Sequence, residues 1–490
     1  MAVRAFPVVE GGRISGRAAR ALRRTRIVCT LGPSSSSPPM VRRLVAAGMD
    51  VARLNFSHGD GESHRAAAHA VRDAAHAACR HVALMQDLQG PKVRTGPLDP
   101  PVVRLARGRR VTLTARPVTG NGELIPVSHL ELIVGLRPRD RVLLADGQIE
   151  LSVREVAGTD ARCTVTRGGL LEARKGVIAP GRVIDLPALT EKDLADIRLG
   201  AEFGFDYVAL SFVRSGDDVQ ACRAALAANG LRTPVVAKLE RAEALHHLDE
   251  ILGCADAVMV ARGDLGVEMS LAAVPAIQKD VIARCNRVGV PVITATEMLQ
   301  SMVTSSRPTR AEASDVANAI WDGTDAVMLS QETSIGAHPV EALRAMARIC
   351  RAAESHSAYQ RKETVWRDPG SVGVAMAHAA AGIASAVGAR AILAFSESGL
   401  TARRVSKARP AVPVIAASPH PEVLRRTALY SGVVPLEVKP AVDTDDLFAE
   451  GTRAALAAGL VRPGDRIVFV AGVPVGQPGK TNLVTVEVVP

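Results

Sequence analysis

Short apolar runs, each followed by a helix-length stretch, constrain the fold of this chain more than any other feature. They fall at 26–31, 50–55, 81–86, 207–211, 234–239, 255–260, 290–295 and 326–329. An apolar run of five or six residues between polar turns reads as a strand buried on both faces, and strands that alternate with helices pair in parallel. About eight such units close on themselves, so the expectation is an α/β fold built on a (β/α)8 TIM barrel. The pattern breaks once. From 94 to 183 it becomes short alternating strands rich in Val, Arg and Gly, including 141–144 and 149–156, which predicts a β-rich lid domain inserted after the third barrel strand. Past Arg351 a polar stretch, 355–367, leads into a second helix–strand alternation that starts near Val372 and closes with 467–471 and 483–488. The expected division is a tail at 1–22, the barrel at 23–93 and 184–350, the lid at 94–183, and a C-terminal α/β domain at 351–490.

Composition narrows the class. At 490 residues the chain exceeds one core, and with 47% hydrophobic but only 3% aromatic residues that core is built from Ala, Val, Leu and Ile. No apolar run approaches the roughly 18 residues of a spanning helix, so no membrane role is expected. The formal charge of +10, from 60 basic against 50 acidic residues, suits either nucleic acid or small polyanionic substrates. The basic residues are scattered. The densest group, Arg17, Arg20, Arg23, Arg24 and Arg26, has few aromatics nearby to stack bases, and reads as a basic surface and not a nucleic-acid site. Seven cysteines (Cys29, Cys79, Cys163, Cys222, Cys254, Cys285 and Cys350) form no CxxC pair, which points to reduced thiols, a cytoplasmic location and no zinc site. The N-terminus carries arginines without an apolar signal core and reads as a loose tail.

Barrel enzymes place their chemistry at the C-terminal ends of the strands. In Val235-Val236-Ala237-Lys238-Leu239-Glu240 an apolar strand turns abruptly charged, and alternation puts Lys238 and Glu240 on one face. The next run ends in Arg262-Gly263-Asp264, so a second carboxylate arrives beside the first. Two hard oxygen donors suit Mg²⁺ or Mn²⁺, which take their other ligands from water and substrate phosphate. The plainer reading is a satisfied buried ion pair, but Gly263 also opens the backbone to a ligand at a helix start. The other strand ends carry Thr30, Arg53, Asn55, Ser57, His58, Asp87, Lys92, Ser211, Thr296 and Ser330, a rim too polar to be scaffold alone.

These runs resemble the pyruvate kinase family. Residues 25–33, 52–59, 259–266 and 307–318 carry the resemblance, which spans nearly the whole chain. It implies phosphoryl transfer from phosphoenolpyruvate to ADP, giving pyruvate and ATP. By the family pattern Arg53 forks onto the phosphate, Glu240 and Asp264 hold Mg²⁺, and Lys238 stabilises the transferring phosphoryl group. Backbone N–H groups of Gly263 and Asp264 receive the substrate carboxylate, Ser211 joins the substrate pocket, and Thr296 stands where a proton reaches the enolate. Asn55, His58, Arg94 and Lys175 correspond to nucleotide contacts, and Asp146 to the closing lid. Plainer readings stand beside these: Thr296 as a strand-end hydroxyl, His58 as a helix-capping neighbour, Arg94 and Lys175 as solvated charges.

The resemblance also carries departures. Family members usually have Gly at Gln331, Gln at Glu297 and Asn at Ile178; the first change matters only if that backbone has positive φ. Many members bind K⁺ through residues corresponding to Asn55, Ser57, Asp87 and the carbonyl of Leu88, and carry Glu where Lys92 stands here. Lys92, with Leu88-Gln89, fits the potassium-independent branch, implying that K⁺ is not required. In the C-terminal domain Ser396, Ser398, Gly399 and Thr401 form a strand-to-helix turn that aligns with the family's effector loop, and the loop 472–481 would close over a phosphorylated effector. An ordinary capped turn is the alternative, since Glu397 repels an anion unless it points away. A homotetramer is implied. The competing reading is a catalytically silent paralogue, against which stands the joint retention of Arg53, Lys238, Glu240, Asp264 and Thr296.

Overall fold

A computed structural model describes residues 23–182, 184–356, 359, 366, 368–477 and 479–490. The tail at 1–22, with Arg17 and Arg20, and most of the stretch 355–367 lie outside the described residues. The strands in chain order are β1 (Arg26–Leu31), β2 (Val51–Asn55), β3 (Ala83–Asp87), β4 (Val102–Leu105), β5 (Arg110–Thr114), β6 (Leu124–Pro126), β7 (Arg141–Leu144), β8 (Ile149–Ala157), β9 (Asp160–Arg167), β10 (Gly169–Glu172) and β11 (Val177–Ile178). They continue as β12 (Tyr207–Leu210), β13 (Val235–Leu239), β14 (Ala257–Ala261), β15 (Val292–Ala295), β16 (Ala326–Leu329), β17 (Ala391–Phe395), β18 (Val414–Ser418), β19 (Val433–Glu437), β20 (Arg466–Ala471) and β21 (Leu483–Val488).

β1–β3 and β12–β16 close into a parallel barrel in the order β1-β16-β15-β14-β13-β12-β3-β2. Its interior is filled by Val28, Val51, Ala83, Met85, Ala209, Val236, Met259, Ile293 and Met328, side chains small or pliant enough to pack where eight strands converge. Two residues further along the same strands, alternation brings Thr30, Arg53, Asp87, Ser211 and Lys238 to the inward face at the C-terminal rim. β4–β11 form the inserted lid, a six-stranded sheet ordered β11-β7-β8-β9-β5-β6 beside the pair β10-β4. The C-terminal sheet runs β19-β18-β17-β20-β21, parallel except for β21. The division expected at 350–351 falls inside a helix, Pro339–Ser355, whose buried face continues through Cys350 and Ala353.

The C-terminal domain plugs the floor of the barrel. Ala428 and Leu429 join the interior cluster, and the Tyr207 hydroxyl donates to the Arg426 carbonyl at 2.7 Å. At this seam Asp325 meets Lys407 at 2.7 Å and Arg409 at 2.9 Å, with Lys407 also donating to Asn286 at 2.9 Å. Asp325 and Lys407 side chains are each 1% exposed, so removing one partner strands the other in low dielectric. Asp325→Ala is therefore expected to cost about 3–5 kcal/mol, seen as a lower urea midpoint, whereas a change within about 0.5 kcal/mol would show that the network contributes nothing net.

Arg23, Arg24 and Arg26 are not a solvated basic surface. Arg23 and Arg26 reach the buried Asp50 at 2.6 and 3.4 Å, Arg24 donates to the Pro410 carbonyl at 3.0 Å, and the three border a cleft of about 740 Å³ with Arg390 and Arg466. The buried carboxylate and the carbonyls of the domain seam draw them in. Gln331 opens a short helix, Gln331–Ser334, and is not among the positive-φ residues, so its side chain brings no backbone strain.

Candidate active site

The tips of β2, β3, β12 and β13 lie side by side and carry one charge network. Lys238 is within 3.0 Å of Asp87, 2.6 Å of the Ser211 hydroxyl and 2.8 Å of Glu240. Arg53 takes the other oxygen of Asp87 through Nε and donates from Nη1 to the Thr30 hydroxyl at 2.9 Å. The Ser211 hydroxyl donates to the Leu88 carbonyl at 2.7 Å. Asp87 is 1% exposed, Glu240 4% and Lys238 7%, so these charges persist only by mutual compensation. Burial works against the charge on Asp87, but Arg53 and Lys238 outweigh it and hold the carboxyl below its usual range. Burial also works against Lys238, yet Asp87 and Glu240 push its ammonium above the usual range.

Glu240 behaves differently. Burial first, then the facing Asp264, hold its carboxyl above the ordinary range against the opposing pull of Lys238. Its oxygens accept from Lys238 and from the Phe212 N–H at 2.8 Å each. Two carboxylates that repel one another, at a rim whose third carboxylate, Asp87, is already met by Arg53 and Lys238, are a fit donor set for a hard divalent ion. Among the described residues no three His, Cys, Asp or Glu side chains converge into a complete cage, so such an ion would draw its other ligands from water and substrate.

Beside this network the chain builds a second element. The helix Arg262–Glu268 starts at the end of β14, and the Gly263 N–H donates to the Thr296 hydroxyl at 2.7 Å. Thr296 and Glu297 sit at φ 66° and 54°, a left-handed turn that a β-branched residue rarely adopts. The Arg262 guanidinium grips this turn by its carbonyls and is itself anchored on Asp315. The sequence motif contained Arg262 without a role for it; the one signal was an arginine at the end of a wholly apolar strand.

The nucleotide candidates are only partly brought together. His58 is exposed near Arg94, Lys92 and Arg53; partial burial and then these cations hold its imidazole below the usual range. Asn55 accepts from the Ser57 N–H at 3.1 Å. Lys175 is turned aside: its ammonium lies 2.8 Å from Glu172 on the lid, and its backbone N–H donates to Thr95. The Lys92 stem runs along Gly176, where an added Cβ would lie 3.3 Å from Lys92 and 3.7 Å from Asp146, so glycine there lets the hinge lysine and the lid approach. Ile178 lies on β11, opposite Leu143. In the C-terminal domain the turn holding Ser396, Ser398 and Thr401 faces the loop that includes Gly472, Gln477 and Lys480 around a small cavity, with Gly399 at φ 87°. Glu397 is drawn to His420 at 2.8 Å, and the Ser396 hydroxyl is buried without a hydrogen-bond partner.

Fold and rim together define a TIM-barrel phosphotransferase. Residues 22–343 match the family described as pyruvate kinase, barrel domain, and 374–487 that described as pyruvate kinase, alpha/beta domain. The chain is 44% identical over 471 residues to pyruvate kinase 2 of Synechocystis sp., covering 95% of this chain and 79% of that protein. It is 44% identical over 465 residues to the pyruvate kinase of Corynebacterium glutamicum, covering 95% and 97%. A crystal structure of a pyruvate kinase from Cryptosporidium parvum superposes with a TM-score of 0.90 at 36% identity, covering 97% of this chain and 98% of that one. The chain belongs to the pyruvate kinase family, and its activity is that of a pyruvate kinase.

Proposed function

We propose that the rim residues divide the reaction as follows, the Lys238–Asp87–Glu240 network being the observation that carries the reading. Phosphoenolpyruvate binds with its phosphate on Arg53 and Lys238 and its carboxylate on the Asp264 N–H, the Gly263 N–H being taken by the Thr296 hydroxyl. ADP enters along Asn55, His58 and Arg94, with Lys175 swinging from Glu172 as the lid and its Asp146 close. The phosphorus leaves the enol oxygen for a β-phosphate oxygen of ADP, and Thr296 delivers a proton to the enolate carbon. Transfer of this kind depends on positioning and charge neutralisation, which the fixed cations of the rim supply. Glu240 and Asp264 would hold Mg²⁺ or Mn²⁺, which when bound neutralises charge on substrate oxygens. A coupled assay tests the reading: pyruvate formed in step with ATP supports it, whereas binding of phosphoenolpyruvate and ADP without pyruvate would identify a binding protein.

K⁺ is not needed in this reading. The Asp87 carboxylate is already met by Arg53 and Lys238, the Leu88 carbonyl is taken by Ser211, and Lys92 adds a tethered cation near His58. A fixed ammonium spares the entropy of recruiting an ion. Near-maximal activity is expected with Mg²⁺ in buffers free of K⁺ and NH₄⁺, and Lys92→Glu should create a K⁺ requirement. Strong activation of the unmodified enzyme by K⁺, at constant ionic strength with a larger organic cation as control, would contradict this.

The same reading extends to regulation and assembly. The turn with Ser396, Ser398, Gly399 and Thr401 takes a phosphorylated effector once the loop that includes Gly472 and Lys480 opens the small cavity between them, Glu397 being engaged by His420. The enzyme works as a cytoplasmic homotetramer. Among the described residues no helix is long and apolar enough to cross a membrane.

A further inference from the structure

We propose that Arg262, held by Asp315, is a positioning residue that sets the Thr296 hydroxyl for proton delivery; this rests on the reading of Thr296 given above. Thr296 sits in a backbone conformation that a β-branched side chain rarely takes, and Glu297 follows in the same region. Such a turn persists only where its surroundings over-determine it. Arg262 supplies that: Nη2 donates to the Thr296 carbonyl at 2.9 Å, and Nε reaches the Ala295 and Thr296 carbonyls at 3.3 Å each. The next residue, Gly263, donates its N–H to the Thr296 hydroxyl at 2.7 Å. Two neighbouring residues thus grip the turn from its carbonyl side and its hydroxyl side.

The grip has a chemical consequence. The Thr296 hydroxyl donates its proton to the Ala295 carbonyl at 2.7 Å, the same oxygen that Arg262 Nε approaches. A cationic donor sharing that acceptor loosens its hold on the threonine proton. In the reaction, breaking the P–O bond of phosphoenolpyruvate and bonding phosphorus to ADP leaves an enolate, which takes one proton at its methylene carbon. That proton leaves Thr296 Oγ1, and water replaces it. Arg262 gives up no proton; it fixes where the donor points and weakens the competing acceptor.

Arg262 is itself buried, and a half-exposed carboxylate balances it. Arg262 is 9% exposed, and its Nη1 lies 2.8 and 2.7 Å from the two oxygens of Asp315 and 3.2 Å from Gln278. The far end of the turn has separate support, since Glu332 accepts from the Leu299 N–H at 2.9 Å and the Ser330 N–H at 2.7 Å. Loss of Arg262 should therefore disturb the threonine without unravelling the loop.

The test separates proton delivery from phosphoryl transfer. Exchange of the pyruvate methyl protons in D₂O, with ATP and Mg²⁺ present, is followed by NMR beside forward turnover. Arg262→Gln should lower exchange by about a hundredfold, the effect of misplacing a donor by an ångström, with the KM for phosphoenolpyruvate within about threefold of normal. Guanidinium ion added to Arg262→Ala should restore part of the exchange, and Asp315→Asn, which keeps the arginine, should lower it about tenfold with an unchanged urea midpoint. An unchanged ratio of exchange to transfer in Asp315→Asn and Arg262→Gln, with Thr296→Ala abolishing exchange, would overturn this inference alone. Normal exchange in Thr296→Ala would overturn the assignment of Thr296 instead.

Discussion

Lys238→Met should lower turnover by about a hundred- to a thousandfold, the usual effect of deleting one preorganised charge that meets developing charge in the transition state. Methionine matches the length and flexibility of the lysine stem, so the change removes the ammonium more than the packing. Three groups lose one of their partners at once: Asp87, Ser211 and Glu240 all lie within 3.0 Å of the lysine nitrogen. Asp87 keeps Arg53, but Glu240 is left facing Asp264 and should take up a proton more readily. The KM for phosphoenolpyruvate should move less than turnover, because Arg53 still meets the ground-state phosphate. Lys238→Arg should not rescue, since a planar fork cannot replace three donors spread from one point. Near-normal turnover in the methionine variant would take Lys238 out of the chemistry.

Much of this network was legible before any coordinates. Lys238 and Glu240 share a face because strand alternation has period two, Asp87 and Ser211 each close an apolar run that reads as a barrel strand, and Arg53 stands inside the run 50–55, two residues before Asn55 closes it. The lid announced itself by the change from helical to alternating pattern. What sequence could not supply was partnership across distance. Arg262 and Asp315 are 53 positions apart, and nothing local marks Asp315 as the anchor of a turn near residue 296. The arginines at 23–26 looked like a solvated patch because their compensating partners, Asp50 and the carbonyls near 410, come from other elements. Lys175 was placed by the family pattern at the nucleotide, but its partner here is Glu172, three residues away on the same lid. The question at Gln331 turned on one dihedral angle, which the side chain does not encode.

The metal prediction has the largest expected effect of all. Glu240→Gln keeps shape and still accepts from Phe212 N–H, but it removes one of the two negative charges that make the site attractive to a divalent ion. Asp264→Asn removes the other from the N-terminal turn of the helix Arg262–Glu268. Each variant should lower turnover by at least about a thousandfold at ordinary Mg²⁺, since the charge stabilised by a bound ion is worth several kcal/mol. Part of the loss should be recovered at much higher Mg²⁺ or with Mn²⁺, and the urea midpoint should not fall, because relieving carboxylate repulsion offsets the lost charge pairing.

The most direct test of the central claim, that these strand tips move a phosphoryl group, is ³¹P NMR of phosphoenolpyruvate and ADP with the unmodified enzyme, Lys238→Met and Glu240→Gln run side by side. The unmodified enzyme should convert the phosphoenolpyruvate resonance into the γ-phosphate of ATP when Mg²⁺ is present and stop when it is chelated. Both variants should show almost no transfer over the same period while still broadening the substrate resonance. Transfer at the unmodified rate in either variant, or no transfer by the unmodified enzyme with Mg²⁺ and both substrates bound, would contradict the account.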